Sequence, residues 1–341
     1  MKLRKVIVDR RGRARVRSNS AAEHPFHDQS QPTDLLPPLI EMVLILCITL
    51  ISAVSAVLSF FRKSKKEVKI QKDDWKRDVV YLYQFPRSKA VPCLSTYCMK
   101  VETFLRANKI PHEWGRFRLP GSNSTAEAPS ICRCRRVFVT QLGRSKYGLL
   151  PFVELNGEHI ADSQIILNRL VEHFNVKPLP SPRDEAMARA VGRMCENHTS
   201  MLHYKFKVVE NPSNNYTNIA LEDMGCASWL IPFAAPLFSK FLRSKASKRI
   251  KVSLGDFSVE DCKNLLKKDY DAYRDLLGDR KFLFGDEVTV ADCSLFSQLA
   301  STIYLPVENY AKDLLKERYP TLVAYTERVK EATFGSEFAQ E

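Results

Sequence analysis

The chain has 341 residues, enough for about two domains, and its 45% hydrophobic and 10% aromatic content excludes a wholly disordered or fibrous polymer. Nine cysteines, an odd number with no Cys-x-x-Cys pair, argue against a secreted disulfide scaffold and for a reducing compartment. The formal net charge of +13 is concentrated toward the amino end, with 16 Lys and Arg against 8 Asp and Glu in residues 1–77. No zinc-finger, RRM or helix-turn-helix signature accompanies it, so the excess points to anionic lipid and away from nucleic acid.

Residues 1–38 form a basic arm. Eight Lys and Arg against the single acid Asp9 lie in 1–20, and a Pro-, Ser-, Gln- and His-rich stretch follows. Its composition predicts a solvated, disordered tail; an Arg-rich, acid-poor start also fits a mitochondrial targeting element. Residues 39–61 read LIEMVLILCITLISAVSAVLSFF, with Glu41 at the edge as the one charge. Twenty-odd apolar residues at about 1.5 Å rise match a hydrocarbon core of roughly 30 Å, which predicts a single transmembrane helix. Eight Lys and Arg in the juxtamembrane linker 62–77 then place the carboxyl-terminal body in the cytosol by the positive-inside bias.

From Asp78 the pattern becomes globular. VVYLYQF (79–85) predicts a strand, and after a Pro-containing loop Ser95 opens an amphipathic helix to about Asn108, with Val101, Phe104 and Leu105 on one face. Residues 112–118 predict a second strand. Residues 119–143 are Ser-, Pro- and Gly-rich, then basic, and read as a surface insertion. Cys132 and Cys134 within it have no second ligand pair, so no metal site is expected. LLPFVELN (149–156) predicts a third strand, with Pro151 at its start and a cis bond permitted there. A Gly157-Glu158 turn and a short strand at 159–161 follow. Asp162-Ser163 then forms an N-cap pair for a helix through 174.

The Pro-rich linker 178–182 separates this region from one that reads as helical throughout. Helices are predicted over 184–209, 258–277, 289–304 and about 319–332, and Thr289 and Asp292 have capping-box spacing. Residues 229–242 (WLIPFAAPLFSKFL) are apolar, too short and Pro-broken to span, and are followed by a cluster of Lys and Arg up to Lys251. This stretch reads either as an extra core helix or, over 229–251, as a contact with an anionic membrane surface. His198 and His203 are five apart and do not share a face at metal-binding spacing, so both read as ordinary helix residues.

STYCMKVETFL (95–105), LLPFVELNGEHIADSQIILNRL (149–170) and GDEVTVADCSLF (285–296) together resemble glutathione-transferase-like proteins. They most closely resemble the failed axon connections family, which shares its domain pair with metaxins. The resemblance covers about 78–338 apart from the insertion. It implies a thioredoxin-like α/β domain at 78–178 followed by an all-α domain at 183–338, the glutathione-transferase fold, here preceded by the transmembrane helix. It further implies a membrane-anchored interaction or signalling module connected with axon development, acting with protein partners that the sequence does not name. Two alternatives follow from the same resemblance. One is a glutathione transferase or thiol-handling protein of metal or xenobiotic stress; the other is a metaxin-like import or tethering factor of the mitochondrial outer membrane.

By that resemblance glutathione is the candidate cofactor and no metal is expected. Leu150, before Pro151, would offer its backbone to the peptide part of glutathione. Ser163 would bind the γ-glutamyl carboxylate, and Asp162 would face the amino group. Ser95 stands where thioredoxin and glutaredoxin relatives place the attacking cysteine, so a two-thiol cycle is excluded, and no histidine is near in sequence to activate a serine. Two roles stay open for Ser95: a hydrogen bond to a bound thiolate, as a catalytic residue, or an N-cap alone. Cys93 is a second candidate nucleophile, and Cys98 is expected to be buried packing.

Overall fold

The computed structural model describes residues 70–114, 145 and 147–339. The basic arm, the apolar run at 39–61, residues 62–69 of the juxtamembrane linker and the insertion at 119–143 lie outside the described residues. Among those described, no helix is long and apolar enough to cross a membrane.

Four strands, β1 (Val80–Tyr83), β2 (His112–Trp114), β3 (Phe152–Leu155) and β4 (Glu158–Ala161), form one sheet of order β2-β1-β3-β4. β2 runs parallel to β1, and helix α1 (Thr96–Ala107) makes the crossover that parallel pairing requires. β3 is antiparallel to β1, and β4 returns antiparallel to β3. The tight turn between them is Asn156-Gly157, one residue earlier than the sequence pattern suggested. Both residues have positive φ, 51° and 79°, as a two-residue hairpin turn matched to strand twist requires. Gly157 is needed twice over, because a Cβ there would sit 3.2 Å from Nε1 of Trp75. Helix α2 (Ser163–His173) follows β4 directly. The third strand begins at Phe152 and not 149, since Pro151 has no N–H for the ladder.

The strands alternate between two apolar faces. Val80, Leu82, Val153, Leu155 and Ile160 meet Val101, Phe104 and Leu105 of α1 and Ile166, Leu167 and Leu170 of α2. Tyr81, Tyr83, Phe152 and Ala161 cluster on the opposite side. The chain entering at residue 70 is fastened by the same set of strands. The buried Glu154 carboxylate accepts from the Gln71 and Lys72 amides at 2.7 and 2.9 Å and from the Tyr83 hydroxyl at 3.0 Å.

The remainder is helical. Helix α3 (Pro182–Met194) is capped by Ser181, with Pro182 in its first turn. It continues through a π-helical turn (Cys195–Thr199), α4 (Ser200–Tyr204) and a second π-helical turn (Lys205–Val209), so the long helix expected over 184–209 is present with two widened turns. Then come α5 (Asn215–Asp223), α6 (Ile231–Leu254), α7 (Val259–Leu277), α8 (Val290–Ile303), α9 (Tyr310–Arg318) and α10 (Pro320–Thr333). The two prolines that suggested a broken segment at 229–242 do not break α6. Pro232 falls in the first turn, where an N–H has no partner in any case, and Pro236 removes one further bond.

Helix α8 is the axis of this region, buried without interruption from Ala291 to Thr302. The expected capping box is formed at its start. The Asp292 carboxylate accepts from the Thr289 amide at 2.8 Å and from its hydroxyl at 2.6 Å, and the Asp292 amide donates back to Thr289 Oγ1 at 3.4 Å. The same carboxylate also accepts from the Leu283 amide (2.9 Å) and the Tyr325 hydroxyl (2.8 Å), so one buried side chain joins a loop, α8 and α10.

Candidate functional site

The strand register gathers the candidate residues at one end of the sheet. Tyr83 pairs with Phe152, and Phe152 with Ala161. The loop leaving β1 toward α1, the Leu150-Pro151 bond entering β3 and the Asp162-Ser163 start of α2 therefore open on the same edge. The Leu150-Pro151 peptide is cis. Ser145 shapes the approach to it, its hydroxyl accepting from the Leu149 amide at 2.7 Å and its carbonyl from the Gly148 amide at 2.9 Å. Leu150 is half-buried against the tyrosine cluster.

At the start of α1, Ser95 adopts an extended backbone (φ −81°, ψ 114°), and its hydroxyl accepts from the Cys98 amide at 3.4 Å, the geometry of an N-cap. Among the described residues no imidazole or carboxylate hydrogen-bonds to that hydroxyl. Cys98 is fully buried, as expected. Cys93, the other candidate nucleophile, is fully buried too, with Sγ 3.9 Å from the Phe85 carbonyl oxygen. Burial, followed by the hydrogen bond with the Cys98 thiol, pushes its pKa well above the usual thiol range. The Cys93 sulfur is therefore not held as a thiolate, the form that attacks.

Asp162 sits at φ 78°, a left-handed value unusual for a side-chain-bearing residue. Its carboxylate accepts from the Gln164 and Ile165 amides at 2.9 and 3.3 Å, so the first donors of α2 are already met from within the chain. Ser163 is 6% exposed, and its hydroxyl has no hydrogen bond among the described residues. Arg193 of α3 reaches this helix start, 3.4 Å from Gln164 Oε1, and is 3.1 Å from Glu196. It places a guanidinium beside an anion-favouring helix terminus. Sequence reading missed Arg193 because it lies in a helix whose periodicity marks it only as polar.

The face of α1 turned away from the sheet is closed by the helical region. Gln298 of α8 donates to Thr96 Oγ1 at 2.9 Å, and the Tyr97 hydroxyl donates to the Glu196 carbonyl at 3.4 Å. The Lys100 ammonium is ion-paired with the Glu196 carboxylate, both side chains being nearly inaccessible (1% and 5%). Ser294 also donates to Glu196, at 3.2 Å. A recess of about 630 Å3 lies elsewhere, lined by Leu277, Arg280, Lys281, Asp286, Thr321 and Arg328, and includes none of the candidate residues.

His198 and His203 both hydrogen-bond within the helical region. His198 Nδ1 lies 2.8 Å from the Asp269 carboxylate, while His203 bridges Tyr270 and Thr302. Among the described residues no group of three or more His, Cys, Asp or Glu side chains could hold a metal ion.

A family model for the glutathione S-transferase N-terminal domain matches residues 132–214, and one for the C-terminal domain matches residues 266–329. The Drosophila melanogaster protein "Failed axon connections" is 29% identical over 275 residues, covering 78% of this chain. The chain spans 60% of the length of that relative. Similar solved structures include a glutathione transferase from Phanerochaete chrysosporium (17% identity, TM-score 0.48, 76% of this chain and 99% of that one). Another is a glutathione S-transferase from Methylobacterium radiotolerans in complex with glutathione sulfonate (16% identity, TM-score 0.42, 76% of this chain and 94% of that one).

Proposed function

We propose that this chain, a glutathione-transferase-like protein related to Failed axon connections, acts as a membrane-anchored interaction module and not mainly as a conjugating enzyme. The observation that carries the reading is the state of the α1 start. The Ser95 hydroxyl is engaged as a cap, Cys93 and Cys98 are both buried, burial holds the Cys93 thiol protonated, and among the described residues no base hydrogen-bonds to the cap. An enzyme that activates a thiol needs a donor or base aimed at it. The apolar run 39–61 supplies the anchor, and the basic residues after it hold the folded body on the cytosolic side. The relative's name connects that protein with axons, and axon development is the setting we infer for this one. The mitochondrial outer membrane is the competing address, given the Arg-rich arm.

One observation favours a second reading, glutathione binding. The Leu150-Pro151 segment entering β3, the Ser163 hydroxyl, which has no hydrogen bond among the described residues, and Arg193 beside the start of α2 lie at the edge where an anionic peptide would seat. Calorimetric titration of the full chain with glutathione, followed by an assay with an electrophilic aromatic acceptor, separates the two. The module reading expects no turnover. Turnover that Ser95→Ala or Ser163→Ala abolishes would overturn it. Imaging of the tagged chain with and without residues 1–38 decides the membrane.

A further inference from the structure

Helix α6 carries two opposed stripes. Ile231, Ala235, Ser239, Ala246 and Ile250 are buried. They pack on the Met201 and Val208 side of the long helix and against Leu221 of α5. Arg243 locks the helix in that orientation, its guanidinium donating to the Val208, Asn211, Pro212 and Ser213 carbonyls at 2.8 to 3.3 Å. Rotation of 100° per residue then fixes what points away from the body. Phe233 and Leu237 lead the outward stripe, 65% and 55% exposed, and Trp229 extends it from the preceding turn at 60%. Lys240, Lys248 and Lys251 complete it on the same line, all exposed. The stripe is apolar for its first part and basic for the rest. Residues 231–254 contain six Lys and Arg and no acid.

We infer that this stripe is an interfacial membrane contact, with the aromatic end entering the boundary of an anionic leaflet and the lysines meeting lipid phosphates. Large apolar side chains held in water in a row cost free energy unless something covers them. Bulky aromatics beside a basic, acid-free run are the composition of helices that lie in the interface plane. The charge selects the occupant. A second copy of the chain would bring the same three lysines, Lys240, Lys248 and Lys251, to the contact, whereas an anionic leaflet opposes them with negative charge. Lys251 has Asp256 at 2.8 Å, but both are exposed and such a pair competes weakly with a charged surface. The contact needs no contribution from residues 39–61, so it stands or falls separately from the anchor.

The test uses the full chain reconstituted in vesicles, with Trp75→Phe and Trp114→Phe leaving Trp229 as the sole indole. In phosphatidylcholine vesicles containing about one-third phosphatidylserine, Trp229 emission is expected to shift to the blue and to be quenched by lipids brominated on the acyl chain. In pure phosphatidylcholine the effect is expected to be far smaller. Reversing Lys240, Lys248 and Lys251 to Glu is expected to weaken the anionic contact about 100-fold or more, at about fivefold per charge. Where the tryptophan variants do not fold, acetylation footprinting of the same three lysines in the unaltered chain gives the same reading. Equal quenching or labelling in neutral and anionic vesicles would sink the proposal. So would shielding of Trp229 in lipid-free detergent accompanied by a doubled mass, which would make a second copy the occupant. Release of the chain by alkaline carbonate would remove the anchor at 39–61 while leaving the neutral-pH lipid preference of α6 intact.

Discussion

Lys100 and Glu196 are ion-paired with almost no access to water, and the pair joins the first helix of the sheet region to the widened turn after α3. Withdrawing two charges from water offsets most of their attraction, so such a pair adds little net stability while intact. Its loss by halves is another matter. Lys100→Met leaves Glu196 buried with the half-exposed Arg193 as its remaining cation, and a loss of about 3 kcal/mol is expected in urea unfolding. Combining it with Glu196→Gln should recover more than half of that. Additive losses in the double-mutant cycle would mean that the two charges are not coupled.

The capping box of α8 predicts a graded series. Thr289→Ala removes one acceptor and one donor and is expected to cost about 1 kcal/mol. Asp292→Ala orphans the Leu283 amide and the Tyr325 hydroxyl as well, for a loss of about 3 kcal/mol. Asp292→Asn should fall between them. Thermal melts in which Thr289→Ala is the more damaging of the two alanines would contradict this assignment.

Two buried groups set the pH response. His203 is held neutral. Thr302 Oγ1 donates to the Gln298 carbonyl and so accepts from Nδ1–H, while Nε2 accepts from the Tyr270 hydroxyl at 2.6 Å. Burial, with the Lys207 charge second, lowers its pKa to about 3. The unfolded chain therefore binds the extra proton between pH 6.5 and 3, and stability falls as pH falls through that window. His203→Gln should flatten the acid limb of the stability curve.

Lys207 acts in the neighbouring window. Burial, and then the charge of Lys312, lowers its pKa to about 7, although its ammonium donates to the Ser301 carbonyl and hydroxyl at 2.8 and 3.1 Å. Between pH 7 and 10.5 the unfolded state carries the extra proton, so stability relative to Lys207→Met should rise with pH at about 1 kcal/mol per unit. A difference between the two proteins that does not change over this range would rule out the titration.

Thiol accessibility gives a direct check on the α1 start. In the native protein, alkylation read by peptide mapping should reach the half-buried Cys226 well before Cys93, Cys98, Cys195 or Cys293. Rapid modification of Cys93 in the folded chain would restore it as a nucleophile and count against the module reading.

How much of this was legible follows from the range of each interaction. Ser95, Asp162, Thr289 and Asp292 announced helix starts because a cap is a contact among neighbours in sequence, and the register that brings the first two of these starts to one edge follows from strand order. The Lys100–Glu196 pair spans 96 positions, so nothing local marks either residue as buried. The depth of Cys93 was hidden for the same reason, as was the approach of Arg193 to α2. The prolines of 229–242 misled in the other direction. They read as breakers, yet their places in α6 leave the helix continuous and its outward stripe intact.

The clamp on Glu154 also has a mechanical meaning. Tension along the chain from the amino-terminal side is not absorbed by a slack loop at residue 78. It arrives first at the Gln71 and Lys72 amides and passes through one carboxylate into β3, an inner strand with partners on both sides. The folded body is thus gripped near the middle of its sheet, and a pull on the leash is a pull on the core.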